Sequence, residues 1–250
     1  MFRPLRIGLI AEGETELGAS IPYIKPEEGG KVINRDKEGA LHTLIRRELN
    51  NSGLEDCEFV QRHPTSKESG TYKLRVGHSI LELKYLAQII IAWKPQEVDM
   101  IVIVADADDV LSKRQNNLER ALNTIRENHL DANELPISDR SLGGLAIRDI
   151  EAWLLADYET VSRILKEKIE QVEDLENFMN CKNILEAAIA KSDYLSKGKT
   201  NQRPLIIRWK LAFEIDLSIL KSSCQEGYAK FTNNLTTVAK RIDKAESETS

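Results

Sequence analysis

The sequence predicts an α/β protein in which a parallel sheet is flanked by helices and followed by an all-helical C-terminal region. Residues 100–105 form a short run of mostly β-branched or apolar residues, and residues 5–11 form a second short apolar run that is broken by Arg6 and Gly8. A run that is apolar at every position is typical of a strand buried on both faces, as in the interior of a parallel sheet. Helix-like segments separate the predicted strands, and such alternation favours right-handed βαβ units.

The composition bounds the class of protein. The chain has 250 residues, 41% of them hydrophobic, so it can bury a full core as one large domain or two small ones. No apolar run approaches the roughly 20 residues that cross a bilayer, which predicts no membrane association. The N-terminal residues lead directly into the first strand without a cleavable leader, so we expect a cytoplasmic protein.

The cysteines give a further indication of the environment. Cys57, Cys181 and Cys224 are odd in number and far apart in the chain. This spacing matches neither a disulfide framework nor a zinc site. We expect three reduced thiols.

Between the two apolar strands, the chain is predicted to contain a long insertion, two helices and one further short strand. After Glu16, residues 17–36 show little periodicity and contain two prolines and a Gly-Gly pair, which predicts a long loop or insertion over the sheet edge. The further predictions are a helix over residues 37–50, a strand over 57–61, a loop over 63–71 and a helix over 73–93.

The remaining elements complete the predicted sheet and then leave it. A polar helix is expected over residues 112–128, and residues 133–144 are predicted to be a turn-rich connection before a last short strand at 145–147. Beyond Asp149 every periodic segment is helix-like. We therefore divide the chain into a sheet-containing domain, residues 1–157, and a helical C-terminal region, residues 158–250.

Acidic side chains follow both predicted buried strands. Glu12 and Gly13 come directly after the first strand, and Asp106 and Asp108 follow the second. In open α/β sheets, ligands and chemistry collect at the carboxyl ends of the strands. Carboxylates gathered there repel one another unless a hard cation neutralises them, and all-oxygen ligation suits Mg²⁺ or Mn²⁺. The sequence therefore predicts one shared metal site, provided that the two strands are neighbours.

Three motifs together resemble those of the Toprim fold, a metal-dependent catalytic domain shared by topoisomerases, primases and several nucleases. The motifs are IGLIAEGETE, IVIVADADD and RDIEAWLLAD. The resemblance covers about residues 5–157. It is closest to the small stand-alone Toprim proteins and the OLD-type (overcoming lysogenization defect) nucleases, which are often found in bacterial anti-phage defence.

The resemblance implies a role for each matched acid. Glu12 matches the family's signature glutamate, a metal ligand or general acid/base, and Asp106 and Asp108 match the Asp-x-Asp pair that holds Mg²⁺. Glu16 stands one helical turn after the first glutamate, where the OLD-type variant adds a ligand. Glu151, or Asp149 with less support, matches a carboxylate that completes a second metal site. One or two ions are therefore expected.

A basic stretch offers candidate contacts to a phosphate backbone. Six basic residues and one acid lie between positions 191 and 210, although the net charge of −5 argues mildly against high affinity for nucleic acid. The candidates are Lys197, Lys199, Arg203 and Lys210. The family also uses a lysine near the transition state, which no motif fixes here. A solvated loop beside a helix explains the same stretch equally well.

The resulting prediction is Mg²⁺-dependent hydrolysis of phosphodiester bonds in nucleic acid. Two alternatives stay open. The pattern Asp106-x-Asp108-x-Val110 also fits haloacid-dehalogenase-type phosphatases, although their nucleophilic aspartate normally follows the first strand. The protein could instead be a non-catalytic Toprim scaffold that docks onto a partner. An ABC-type ATPase, which accompanies such proteins in defence operons, and a second copy of the chain are the expected protein partners.

Overall fold

A five-stranded sheet forms the centre of the protein. The computed structural model describes residues 4–18, 31–54, 57–61, 65–68, 71–74, 80–81, 98–108, 110–128, 137–193 and 203–249. The strands are β1 (Leu5–Ile10), β2 (Lys31–Val32), β3 (Cys57–Gln61), β4 (Thr65–Glu68), β5 (Thr71–Leu74), β6 (Met100–Asp106) and β7 (Ser141–Ala146). In the sheet order β2-β3-β1-β6-β7, the last four strands are parallel and β2 is antiparallel. The predicted α/β class is confirmed.

Helices surround the sheet and make up the C-terminal region, as predicted. They are α1 (Glu14–Leu17), α2 (Ala40–Asn51), α3 (Leu111–Asn128), α4 (Ile150–Leu155), α5 (Tyr158–Leu165), α6 (Cys181–Lys191), α7 (Arg203–Glu214), α8 (Leu217–Ser223) and α9 (Lys230–Thr249). A π-helical segment, Gln225–Ala229, precedes α9. The arrangement is consistent with a Toprim-like fold.

The two faces of the sheet contribute to separate hydrophobic cores because side chains alternate along each strand. Met100, Val102 and Val104 of β6 enter the larger core, whereas Ile101 and Ile103 enter the smaller one. Helix α3 covers the smaller core, and α2 together with the C-terminal helices covers the larger one. Strand β6 is therefore buried on both faces, as its uninterrupted apolar sequence indicates.

The C-terminal helices share the larger core with the sheet. The indole of Trp153 in α4 lies 5.0 Å from the Tyr228 ring and 5.9 Å from the Phe231 ring, measured between ring centroids. All three side chains are buried among residues of the same cluster as β1 and β6. The division of the chain at residue 157 stays a prediction.

Two glycines let α1 pack directly against the start of α2. A Cβ atom on Gly39 would stand 2.3 Å from the carbonyl oxygen of Glu16 and 2.3 Å from the amide nitrogen of Gly18. Gly18 itself has a φ of +65°, which favours glycine. This close approach fixes α1, and with it Glu16, above the carboxyl end of β1.

Three segments differ from the prediction. Lys31 and Val32 form β2 where a loop was expected; residues 19–30 of the predicted loop lie outside the described residues. Residues 65–68 form β4 instead of a loop, and β4 pairs antiparallel with β5. In the sequence, Ser69-Gly70 is a turn signal, but the polar composition of residues 63–71 favours a loop. Because β5 extends to Leu74, the helix predicted over residues 73–93 does not begin at its predicted start.

The last strand starts four residues earlier than predicted. Gly143 and Gly144 indicate a turn in the sequence, but they lie within β7. A Cβ atom would stand 2.6 Å from Leu118 of α3 at the first position and 2.5 Å from Phe231 of α9 at the second. The glycines are thus strand residues that let helices approach both faces of the sheet.

Two expectations about the environment can be compared with the structure. No helix in the described ranges is long and apolar enough to cross a membrane. Cys57, Cys181 and Cys224 are free thiols, and all three are buried. Burial raises the pKa of Cys57 to about 11 and that of Cys181 to about 12, so these thiols are unreactive at neutral pH.

Candidate metal centre

The tips of β1 and β6 meet at the carboxyl edge of the sheet. The strands are parallel neighbours with Ile10 opposite Ile103, which brings the residues after β1 level with the end of β6. The Oε1 atom of Glu12 accepts a hydrogen bond from the backbone N–H of Asp106 at 3.0 Å. Two acids that are 94 positions apart in the chain are therefore in direct contact.

This meeting point is the topological switch point of the sheet. From β1 the chain passes to β3 on one side and later to β6 and β7 on the other. Connections then leave β1 and β6 in opposite directions, which opens a crevice between them. The acids occupy the position at which open parallel sheets most often bind ligands.

Glu16 is folded back toward the same point. Helix α1 begins directly after Gly13, whose carbonyl accepts the first helical hydrogen bond from Leu17 N–H at 3.0 Å. A Cβ atom on Gly13 would lie 3.6 Å from Oε2 of Glu16, so the carboxyl group lies over the turn. Burial, with the nearby charges of Glu151 and Glu12, raises the pKa of Glu16 to about 7.

Helix α4 brings two further acids from the end of β7. Asp149 is the N-cap of the helix, and its Oδ1 accepts a hydrogen bond from Ala152 N–H at 3.0 Å. Burial and the neighbouring Glu151 raise the pKa of Asp149 to about 6. The side chain of Glu151 itself is buried.

These five carboxyl groups form one electrostatic unit, which we call the acidic cluster: Glu12, Glu16, Asp106, Asp149 and Glu151. Burial raises the pKa of Asp106 well above its usual value, and the other four acids raise it further. Each added negative charge in a dry crevice disfavours the ionised form of its neighbours. The cluster therefore favours a bound cation or bound protons.

Asp108 does not belong to the acidic cluster. Its Oδ2 lies 3.5 Å from Nη2 of Arg114. This arginine is on α3, the helix that covers the smaller core. Asp108 has a φ of +48° and pairs with Arg148, whose φ is +69°. Alternation along a strand would place Asp106 and Asp108 on one face of the sheet. The left-handed backbone of Asp108, just after β6, instead turns its side chain away from Asp106.

A buried arginine contacts the cluster. Nη2 of Arg208 on α7 donates a hydrogen bond to Oε1 of Glu151 at 3.1 Å and lies 3.7 Å from Oε1 of Glu186. Only 6% of its side chain is exposed, and its Nε has no hydrogen-bond partner within the described part of the chain. Its rigid guanidinium fixes the orientation of the Glu151 carboxylate.

The other predicted basic contacts are placed differently. Lys197 and Lys199 lie outside the described residues, and Arg203 begins α7. The ammonium group of Lys210 forms an ion pair with Glu214 at 2.6 Å. It lies on α7 two residues after Arg208, without a contact to the acidic cluster among its described hydrogen bonds and ion pairs.

The donor set fits a hard divalent cation. Every side chain of the cluster offers carboxylate oxygens, the ligands that Mg²⁺ and Mn²⁺ prefer. Among the described residues, no three carboxylate, imidazole or thiol groups are already spaced to hold one ion. Burial, together with the charge of the neighbouring Glu151, raises the pKa of both Glu16 and Asp149, and a bound cation would favour their ionised forms.

Two residues of this site were missed or ranked low from the sequence. Asp149 was the weaker alternative to Glu151, yet it also belongs to the cluster. Its signal was its position directly before a helix, where aspartate is a common cap. Arg208 was one of six basic residues in a stretch, and nothing in that stretch shows which of them is buried.

Comparison of the chain with models of protein families, with curated proteins and with solved structures finds no match.

Proposed function

We propose that this protein is a metal-dependent hydrolase that cleaves phosphodiester bonds of nucleic acid. The observation that carries the proposal is the contact between Glu12 and Asp106 at the switch point of the sheet, with Glu16, Asp149 and Glu151 gathered around it. Phosphodiester cleavage requires charge neutralisation at phosphorus and activation of water. A carboxylate-lined crevice that binds Mg²⁺ or Mn²⁺ provides both.

Four members of the acidic cluster would hold the metal: Glu12, Glu16, Asp106 and Glu151. When bound there, one or two divalent ions supply Lewis-acid stabilisation for in-line displacement at phosphorus. Asp149 caps α4 and orients the helix that carries Glu151. Arg208 holds the Glu151 carboxylate in place through a buried ion pair.

Glu12 is our candidate for the general base. It is partly exposed just after β1, and the hydrogen bond from Asp106 N–H fixes the direction of its carboxylate. A carboxylate that is held in this way can take the proton of an attacking water. Burial raises the pKa of Glu16 to about 7 in the metal-free site, so a metal that binds there would displace its proton.

The partners and setting are part of the same proposal. By its Toprim resemblance the protein is an effector of bacterial anti-phage defence that works with an ABC-type ATPase, and it can also associate with itself. A partner with its own affinity for nucleic acid would compensate for the net charge of −5. The three free buried thiols favour a cytoplasmic location.

The test is a cleavage assay with Mn²⁺ or Mg²⁺ on DNA and RNA substrates. We expect Glu12→Ala to lower the rate by about 10²–10⁴-fold because general-base assistance and a metal ligand are lost together. Glu173→Ala removes an exposed acid and should cleave like the wild type. Chelation of the metal should abolish cleavage by the wild type and by Glu173→Ala.

Three outcomes would contradict the proposal. Full cleavage by Glu12→Ala would remove the acidic cluster from the reaction. An aspartyl-phosphate trapped on Asp106 would identify a phosphatase instead. Calorimetry that shows no binding of Mg²⁺ or Mn²⁺ would leave a scaffold, since a scaffold does not need metal at these acids.

A further inference from the structure

Helix α7 connects the acidic cluster to an exposed apolar surface. Arg208 binds Glu151 in the cluster, and the next residue along the helix, Trp209, lines a separate pocket. The same pocket, of about 270 Å³, is lined by Gly18. Gly18 directly follows α1, the helix that carries Glu16. The pocket is therefore lined by residues of α7 and of the turn after α1, the two elements that also bring Arg208 and Glu16 to the cluster.

Three apolar side chains on α7 form a row, which we call the aromatic row: Ile206 and Phe213, which are exposed, and Trp209, which is half-buried. The spacing of three and then four residues places all three on one stripe of the helix. Ile206 is 44% exposed and Phe213 is 52% exposed. Contiguous apolar side chains at a protein surface are typical of a binding surface.

The two rings of the row are stacked. The centroids of Trp209 and Phe213 are 5.7 Å apart, and the ring planes differ by 19°. The Nζ atom of Lys210 lies 5.5 Å from the centroid of Phe213, and the pocket beside Trp209 is lined by one base, Arg35, and two acids, Asp36 and Glu38. Stacked aromatic rings at a protein surface are the usual platform for successive bases of an unpaired strand.

The aromatic faces, more than the charges, define the ligand. Lys210 also pairs with Glu214, so part of its charge is already neutralised. A nucleobase can extend the Trp209–Phe213 stack or enter the apolar pocket between Trp209 and Leu205. Bases in a duplex are stacked on one another and cannot reach such a surface unless they are flipped out.

We propose that the aromatic row binds unpaired bases, so that the substrate is single-stranded nucleic acid. The row would position a strand so that a phosphodiester near the stacked bases lies over the acidic cluster. This inference rests on the proposed hydrolytic function for its purpose, but the binding itself can be measured separately.

The experiment measures binding by fluorescence anisotropy, with Ca²⁺ present to neutralise the acidic cluster. The probes are a labelled 15-nucleotide oligo(dT), a labelled 15-nucleotide oligo(U) and a 15-base-pair DNA duplex. Trp209→Leu keeps an apolar side chain but removes the aromatic face, whereas Trp209→Phe keeps one. Phe213→Leu repeats the test at a more exposed position, and Met179→Leu is the control at an exposed apolar residue elsewhere.

We expect the wild type to bind at least one of the single strands more tightly than the duplex. Trp209→Leu and Phe213→Leu should each weaken that binding about fivefold or more, since one stacked base contributes that much. Trp209→Phe and Met179→Leu should bind like the wild type, and the affinity for the duplex should be the same in all variants. Circular dichroism verifies that each variant is folded.

Other outcomes overturn the inference. Equal weakening of single-strand and duplex binding, or no effect of either leucine variant, would exclude a base-stacking platform. A loss of self-association on size-exclusion chromatography, with unchanged affinity for nucleic acid, would identify the row as a protein interface. Efficient cleavage of duplex without a preference for single strands would leave the hydrolase and remove this inference. Loss of single-strand binding in Trp209→Leu, combined with full cleavage by Glu12→Ala, would support the binding of bases by the aromatic row and contradict the proposed role of the acidic cluster in hydrolysis.

Discussion

The buried carboxyl group of Glu16 shows how one residue couples the candidate site to the stability of the protein. Its side chain is 6% exposed, and its pKa is raised from 4.5 to about 7. Between these two values the unfolded chain releases the proton while the folded protein keeps it. The metal-free protein therefore loses stability as the pH rises through this window.

We predict that Glu16→Gln stabilises the metal-free protein above pH 7. The amide cannot ionise, so the variant avoids the free-energy cost of ionising a buried carboxyl group. A pKa raised from 4.5 to about 7 corresponds to a cost of ~3 kcal/mol. Urea unfolding in EDTA at pH 5 and pH 8 measures the effect. The difference in unfolding free energy between variant and wild type should grow with pH.

The control for this prediction is Glu173→Gln, which neutralises an exposed acid. It should follow the pH dependence of the wild type. If Glu16→Gln does the same, the Glu16 carboxyl group does not carry the raised pKa.

At the scale of elements, the joint between α1 and α2 decides where Glu16 points. The backbone of Gly39 lies against that of α1 so closely that no side chain fits. Gly39 has a φ of −94°, which any residue adopts, so its glycine is required by space alone. Because α2 is anchored in the larger core, its contact with α1 fixes the position of Glu16 in the acidic cluster.

We predict that Gly39→Ala destabilises the protein by ~3 kcal/mol, at the upper end of overpacking costs, because backbone atoms must move to admit the methyl group. Gly53→Ala is the comparison, since its Cβ meets nothing within 4 Å but its φ is +77°. That change should cost only ~1–2 kcal/mol. Thermal or urea unfolding measures both.

The two glycine variants should also differ in metal binding. Gly39→Ala shifts α1 and should weaken Mn²⁺ binding in calorimetry, whereas Gly53→Ala should leave it unchanged. Equal destabilisation and equal metal affinity would show that the contact between α1 and α2 is not tight in solution.

At the scale of the whole molecule, the acidic cluster exists only in the folded state. Its members come from the ends of β1 and β6 and from α1 and α4, which are separated by up to 139 positions between Glu12 and Glu151 (151 − 12). A cation that binds this cluster therefore binds the folded protein and not the unfolded chain. By mass action it must raise the melting temperature.

We predict that Mn²⁺ at a hundred times its dissociation constant stabilises the protein by ~2.7 kcal/mol, which raises Tm by about 5–10 °C for a chain of this size. Differential scanning fluorimetry at pH 7.5 measures the shift. Asp106→Asn should lose it. Asp108→Asn should retain most of it, because Asp108 is paired with Arg114 outside the cluster.

The opposite pattern would revise the site. Loss of the shift in Asp108→Asn would show that Asp108 leaves Arg114 and joins the metal, as the resemblance implies. No shift in the wild type with either Mn²⁺ or Mg²⁺ would contradict a metal site in the acidic cluster.

The sequence by itself determined the two central strands of the sheet, β1 and β6, and the acids that follow them. Buried parallel strands need apolar side chains on both faces, so β6 is visible as an uninterrupted apolar run and β1 as a run broken by Arg6 and Gly8. The strand ends are equally visible, because Glu12 and Asp106 interrupt those runs. Glycine was the misleading signal: Gly143 and Gly144 suggest a turn, and their role in admitting Leu118 and Phe231 depends on distant helices.

Only the tertiary structure decided which charged groups share the crevice. Asp106 and Asp108 are equivalent in an Asp-x-Asp pattern, but a left-handed residue and the position of α3 turn one of them toward Arg114. Arg208 cannot be distinguished from its basic neighbours until α7 packs against Glu151. Burial and electrostatic coupling are properties of contacts between segments far apart in the chain, and no local pattern records them.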